Sequence, residues 1–97
     1  MDFEWDAAKE KENLRKHGVT FLEAVEAFSD PNGFVVSDEK HSKTERRYYW
    51  IGKIASGKVL TTRFTRRLGK IRIIGSAEWR EFRRMYDEKT KGKGTTD

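Results

Sequence analysis

Apolar and polar positions change their period once along this chain, near Gly33. Before it, apolar residues recur at helical spacing; after it, they alternate. Phe3–Trp5 reads as a short strand. Asp6 is placed to cap a helix over Ala7–His17, because its carboxylate accepts the free backbone N–H groups of a first turn. Gly18 supplies the left-handed residue that ends it. The helix offers a core only Ala7, Ala8 and Leu14, while Lys9, Asn13, Lys16 and His17 share another side. Thr20 and Glu23 form a capping-box pattern for a second helix, whose Phe21, Ala24, Val25 and Phe28 make an apolar stripe. Asp30-Pro31-Asn32-Gly33 stops it in a turn.

The β pattern follows. Phe34–Asp38 is a short strand and 39–45 a polar loop. Arg47–Ala55 places Tyr48, Trp50 and Ile54 on one face and Tyr49 and Ile51 on the other. Ser56-Gly57 reads as a two-residue hairpin turn. Lys58–Arg67 sets Leu60, Thr62 and Phe64 against Arg63, Thr65 and Arg67. After the turn at Leu68-Gly69, Lys70–Gly75 sets Ile71 and Ile73 against Arg72 and Ile74. Ser76 is placed to cap a last helix that docks Trp79, Phe82 and Tyr86. The expected architecture is α+β: an antiparallel meander of four to five strands, two helices before it and one after, all packed on one face. Residues 1–88 form one domain and 89–97 a flexible basic tail.

Charge sharpens this picture. Residues 1–45 hold 6 Lys/Arg against 11 Asp/Glu, and residues 46–97 hold 15 against 5. The positive surface is thus concentrated in the second half, as a polyanion-binding face requires. A solvated sheet face with a basic tail has the same composition. The chain has no Cys and only 2 His, which does not make a zinc-ligand set, and no cofactor is expected. Met1–Asp6 has neither a basic start nor an apolar run, and no stretch reaches the ~20 apolar residues of a membrane span. A cytoplasmic location is expected, with no membrane partner.

The ordered set Phe3-Glu4-Trp5-Asp6, Lys9, Asn13, Lys16-His17-Gly18, Phe21, Ala24, Phe28, Asp30-Pro31, His41-Ser42, Glu45-x-Arg47, Ile51-Gly52 and Arg72-Ile73-Ile74 resembles the BrnT toxin family. The resemblance implies a RelE-like fold and the toxin of a type II toxin–antitoxin module. It further implies RNA cleavage, arrest of translation, and neutralisation by a BrnA-type antitoxin that also binds operator DNA. A homodimer or a heterotetramer with the antitoxin fits such a module. Many members follow the Arg-x-Ile-Ile strand with Ser-Ala-Arg. Here Ser76-Ala77-Glu78 stands instead, so the arginine expected near 77 is missing and Arg80 is the nearest substitute.

Metal-independent RNA cleavage needs a base for the 2′-hydroxyl, cations for the phosphorane and an acid for the leaving 5′-oxygen. Arg47, Arg63 and Arg72 are the expected cationic catalytic residues, with Arg67 on the face of Arg63 and Arg72, because the guanidinium fork binds phosphate in a bidentate way. His17 and Glu45, the latter beside Arg47, are the candidate proton carriers. A helix-end histidine and a surface ion pair are the plain alternatives for them. Lys9, Asn13, Lys16, Arg66, Arg67 and Arg80 are the expected RNA-backbone contacts. A non-catalytic module that binds RNA, the ribosome or the antitoxin fits the same surface.

Overall fold

The computed structural model describes residues 1–91. Among them, five strands form one sheet and three α-helices flank it: β1 (Phe3–Trp5), α1 (Ala7–His17), α2 (Phe21–Ala27), β2 (Phe34–Ser37), β3 (Tyr48–Lys53), β4 (Val59–Arg67), β5 (Lys70–Ala77) and α3 (Arg80–Thr90). Asp6 caps α1 as expected, accepting from the backbone N–H of Ala8 and Lys9, and Gly18 ends it at φ 68°. The Thr20–Glu23 capping box closes the start of α2. Leu68 and Gly69 both take positive φ, the conformation a tight two-residue hairpin demands. The β3–β4 connection is longer than the expected two-residue turn, because β3 ends at Lys53.

The sheet order is β1-β5-β4-β3-β2. Strands β2 to β5 make the expected antiparallel meander, but β1 runs parallel to β5, so the sheet is mixed. Alternation sets which side chains share a face and carries no strand direction. A parallel pair needs a long connection, which everything from α1 to β4 supplies here.

The helices do not share one face, contrary to expectation. Phe21 and Ala24 of α2 pack with Phe64, Ile71 and Ile73. On the opposite face, Tyr86 of α3 packs with Ile51 and Val59. Strand β3 is the reason: Tyr48 and Trp50 point one way and Tyr49 and Ile51 the other, so both faces carry apolar area to cover. Ser76 does not cap α3. It is buried inside β5, sharing a 2.9 Å hydroxyl bond with Thr62, and Trp79 takes the cap position without a side-chain bond. Helix α3 runs through Thr90, past the expected boundary at 88; the expected tail beyond Lys91 lies outside the described residues.

One polar clamp holds α3 down. Tyr86 Oη donates to Asp30 Oδ2 at 2.6 Å, and the same carboxylate accepts from the backbone of Asn32 and Lys53. Burial raises Asp30, but the bonds from Tyr86, Lys53 and Asn32 outweigh it and leave the carboxyl below its usual range. Burial and the Asp30 bond push Tyr86 up to about 12. The depressed carboxyl contributes stability above about pH 4 that is lost as pH falls through the folded value. The raised phenol contributes stability below pH 10 that is lost as pH rises towards about 12. Tyr86→Phe is expected to flatten stability between pH 10 and about 12, measured by urea denaturation across that range. An unchanged alkaline slope would show that the clamp does not carry it.

Candidate nucleic-acid interface

Register decides which cations meet. On β4, Arg63, Thr65 and Arg67 alternate onto the face that bears α3, beyond the part α3 covers, and Arg72 of β5 stands opposite Thr65. Glu4 of β1 stands opposite Arg72. This face carries a row of guanidiniums, each tied to an acid. Arg72 Nη1 lies 3.3 Å from Glu4, Arg67 Nη2 3.7 Å from Glu45, Arg47 Nη2 3.5 Å from Glu45, and Arg63 Nε 3.2 Å from Asp38. Arg63 also donates from Nη2 to Tyr49 Oη at 3.2 Å and stacks its guanidinium over that ring. Five N–H donors per guanidinium leave edges unused in every pair. Arg47, Arg63 and Arg72 are only about a quarter exposed, so their charges are poorly screened.

Helix α1 forms one wall of this face. It lies along the outer edge of β5 beyond Ile73, where β1 ends. The uncovered backbone of Ser76 is paired there by one side chain. Asn13 donates Nδ2 to Ser76 O at 2.9 Å and to Val19 O at 3.0 Å, and accepts the Ser76 N–H at 3.0 Å. Its carboxamide thus replaces a neighbouring strand. Glu10 secures the same helix through Trp5 Nε1 and the Phe21 N–H. Ala7, Ala8 and Leu14, expected to reach a core, are exposed; polar bonds dock the helix instead. Asn13→Ala is expected to cost about 2–4 kcal/mol, because it strands a buried N–H and C=O. Equilibrium denaturation measures this, and a loss near zero would mean that the edge tolerates exposure.

Between α1 and the sheet lies a cavity of about 240 Å³, lined by Lys9, Lys16 and His17 on one side and Tyr49, Thr61 and Arg63 on the other. The structure therefore brings Lys9, Lys16 and His17 to Arg63. Lys16 also pairs with Glu12 at 3.6 Å. Asn13 is spent on the β5 edge and has no amide donor left for a phosphate. Arg66 lies on the reverse face beside Phe28, Tyr48 and Trp50, because strand alternation turns it away from Arg67. Arg80 borders a separate cleft with Glu78 and Arg84, so it does not fill the place of the missing arginine. That place, Ala77, is on the cavity wall opposite Thr61.

The segment 39–45, expected to be a plain loop, is folded by Asp38 and Ser42. Asp38 N–H donates to Arg47 O at 2.9 Å, Ser42 Oγ donates to Asp38 O at 2.7 Å, and Arg47 N–H donates to Ser42 Oγ at 2.9 Å. A short 3₁₀ turn over Glu39–His41 brings the His41 imidazole to Asp38. Sequence reasoning missed this pair. Its signal is the spacing of three between Asp38 and His41, which one helical turn converts into contact. Among the described residues no cluster of three or more His, Cys, Asp or Glu has metal-binding geometry.

A family model described as "Ribonuclease toxin, BrnT, of type II toxin-antitoxin system" matches residues 5–81. A solved structure, the 1.1 Å crystal structure of the Brucella abortus ribonuclease toxin BrnT, superposes with a TM-score of 0.62 at 21% identity, covering 81% of this chain and 96% of that one. No curated protein matches the chain.

Proposed function

The chain belongs to the BrnT family of ribonuclease toxins of type II toxin–antitoxin systems, and from that premise we propose that it is a metal-independent endoribonuclease acting from the arginine face of its sheet. One observation carries the reading. Arg47, Arg63, Arg67 and Arg72 share one face of the sheet, each ion-paired with a carboxylate, and Arg63 also lines the α1 cavity. Side chains fixed in this way meet a phosphate without losing rotamer freedom on binding. The arginines balance the charge of the transferring phosphoryl group, while Lys9 and Lys16 grip the flanking backbone. The 2′-hydroxyl is the nucleophile, which restricts cleavage to RNA. Translation stops as RNA is cut.

An antitoxin of BrnA type covers this face and carries the operator-DNA contact of the complex. Among the described residues no helix is long and apolar enough to cross a membrane, and the proposed site of action is the cytoplasm. The test is incubation of purified chain with RNA in EDTA, with the product ends identified. Cleavage leaving a 2′,3′-cyclic phosphate and a 5′-hydroxyl supports the reading. RNA that is bound in a salt-dependent way but stays intact points instead to a non-catalytic binding module.

A further inference from the structure

We propose that His41 is the catalytic base of this site and that Asp38 is its positioning residue. This rests on the ribonuclease reading above. The imidazole Nδ1 lies 3.1 and 3.0 Å from the two carboxylate oxygens of Asp38. Asp38 is 4% exposed and simultaneously holds Arg63 Nε at 3.2 Å. One buried carboxylate therefore sets a histidine and the central arginine of the row side by side. With Nδ1 given to Asp38 as a donor, the Nε2 lone pair is the free end of the ring, and among the described residues it makes no hydrogen bond. This is the arrangement in which a carboxylate fixes the tautomer of a general base and stabilises the imidazolium that forms.

The imidazole is not needed to close its turn. Backbone and Ser42 bonds already fold the segment, and the histidine side chain is 39% exposed rather than packed. It borders an open cleft of about 510 Å³ with Lys40, Lys43, Thr44 and Arg47. Four cations thus surround the ring: Lys40, Lys43 and Arg47 across the cleft, and Arg63 through Asp38. The earlier candidates lack this support. Glu45 is held between Arg47 and Arg67, and among the described residues no side chain bonds to the His17 ring.

The step balances without a further reactant. His41 Nε2 takes the 2′-hydroxyl proton as the 2′-oxygen bonds to phosphorus. The bond from phosphorus to the 5′-oxygen breaks, and that oxygen takes a proton from water. His41 then returns its proton to solvent, leaving a 2′,3′-cyclic phosphate and a 5′-hydroxyl end. Arg63 and Arg47 balance the charge of the phosphorane.

The experiment measures cleavage and binding of one RNA by the wild-type chain, His41→Ala, His41→Asn and Asp38→Asn. His41→Ala is expected to lose cleavage by about 10²–10⁴-fold, to bind RNA with wild-type affinity, and to regain part of its rate in added imidazole. His41→Asn keeps a donor for Asp38 and is expected to be folded and equally inactive. It serves as the test should the alanine variant not fold. Asp38→Asn is expected to lower kcat without raising KM. Cleavage by both His41 variants at the wild-type rate, or no imidazole rescue of His41→Ala, would overturn the assignment. Absence of cleavage by the wild-type chain would instead overturn the ribonuclease reading on which it rests.

Discussion

Arg63→Ala is expected to lose RNA cleavage by about 10²–10³-fold, the effect of removing one donor from a preorganised anion site. Among the described residues no other arginine on the face has as many neighbours: an ion pair to Asp38, a hydrogen bond from Nη2 to Tyr49, and the Tyr49 ring beneath the guanidinium. The substitution also leaves the buried Asp38 carboxylate facing only His41. Removing one partner of a fully buried pair costs about 3–5 kcal/mol. Arg63 keeps about a quarter of its side chain in solvent, so the expected cost is about 1–3 kcal/mol. Arg72→Ala separates the two effects. Arg72 and its partner Glu4 are both more than a quarter exposed, so its stability should change by less than about 1 kcal/mol while cleavage still falls. Arg63→Lys keeps the charge but not the fork, and is expected to recover little activity. The measurements are single-turnover cleavage rates together with urea denaturation of each variant. Cleavage by Arg63→Ala within about threefold of wild type would remove Arg63 from the reacting phosphate, since about 10²-fold or more is expected of such a donor.

Gly52→Ala is expected to destabilise the fold by about 2–4 kcal/mol without touching the arginine face. A Cβ at Gly52 would collide with the Ala27 carbonyl oxygen and stand 2.7 Å from Trp50 Nε1. Those two atoms are bonded to each other at 2.7 Å, so the substitution strikes both partners of one hydrogen bond. Neither yields cheaply. The carbonyl belongs to the last residue of α2, and the indole stacks on Phe28 at 5.2 Å with Gly33 close to its other ring atoms. A domain of this size has only about 5–10 kcal/mol of stability, so the loss is a large share of the whole. Equilibrium denaturation would show it as a lowered midpoint, and cleavage per folded molecule should stay at the wild-type level. A change of less than about 0.5 kcal/mol, the usual range of an exposed site, would mean that α2 shifts freely against β3.

Much of the site was legible before the fold was known. Strand alternation joins Arg63 to Arg67 along β4, and the expected hairpin register adds Arg72 from β5, which the pairing of Arg72 with Thr65 matches. Helical spacing put Lys9, Lys16 and His17 on one side of α1, and the structure turns that side into the cavity. Asn13 is bound to the β5 edge for a physical reason. Its position on the polar side of α1 suggests a ligand contact, yet that side faces a sheet edge whose backbone needs a partner. Arg66 and Arg80 carry the right charge in the wrong places. Charge alone holds no direction, and nearness in sequence to Ala77 does not turn Arg80 towards the cavity.

Sequence by itself determined the elements and their faces: the two capped helices at the start, the antiparallel run from β2 to β5, and the charge asymmetry that gathers Lys and Arg in the second half. These depend on local spacing and on each residue's own chemistry. Tertiary structure decided everything that depends on pairing between distant segments. It set β1 parallel to β5, sent α3 to the face opposite α2, and made Asn13 a substitute strand. It also folded a polar loop so that Asp38 joins His41 to Arg63. Asp38 directly follows β2 and Arg63 lies on β4, so they meet only through the β2–β3–β4 order, and no local pattern encodes that meeting.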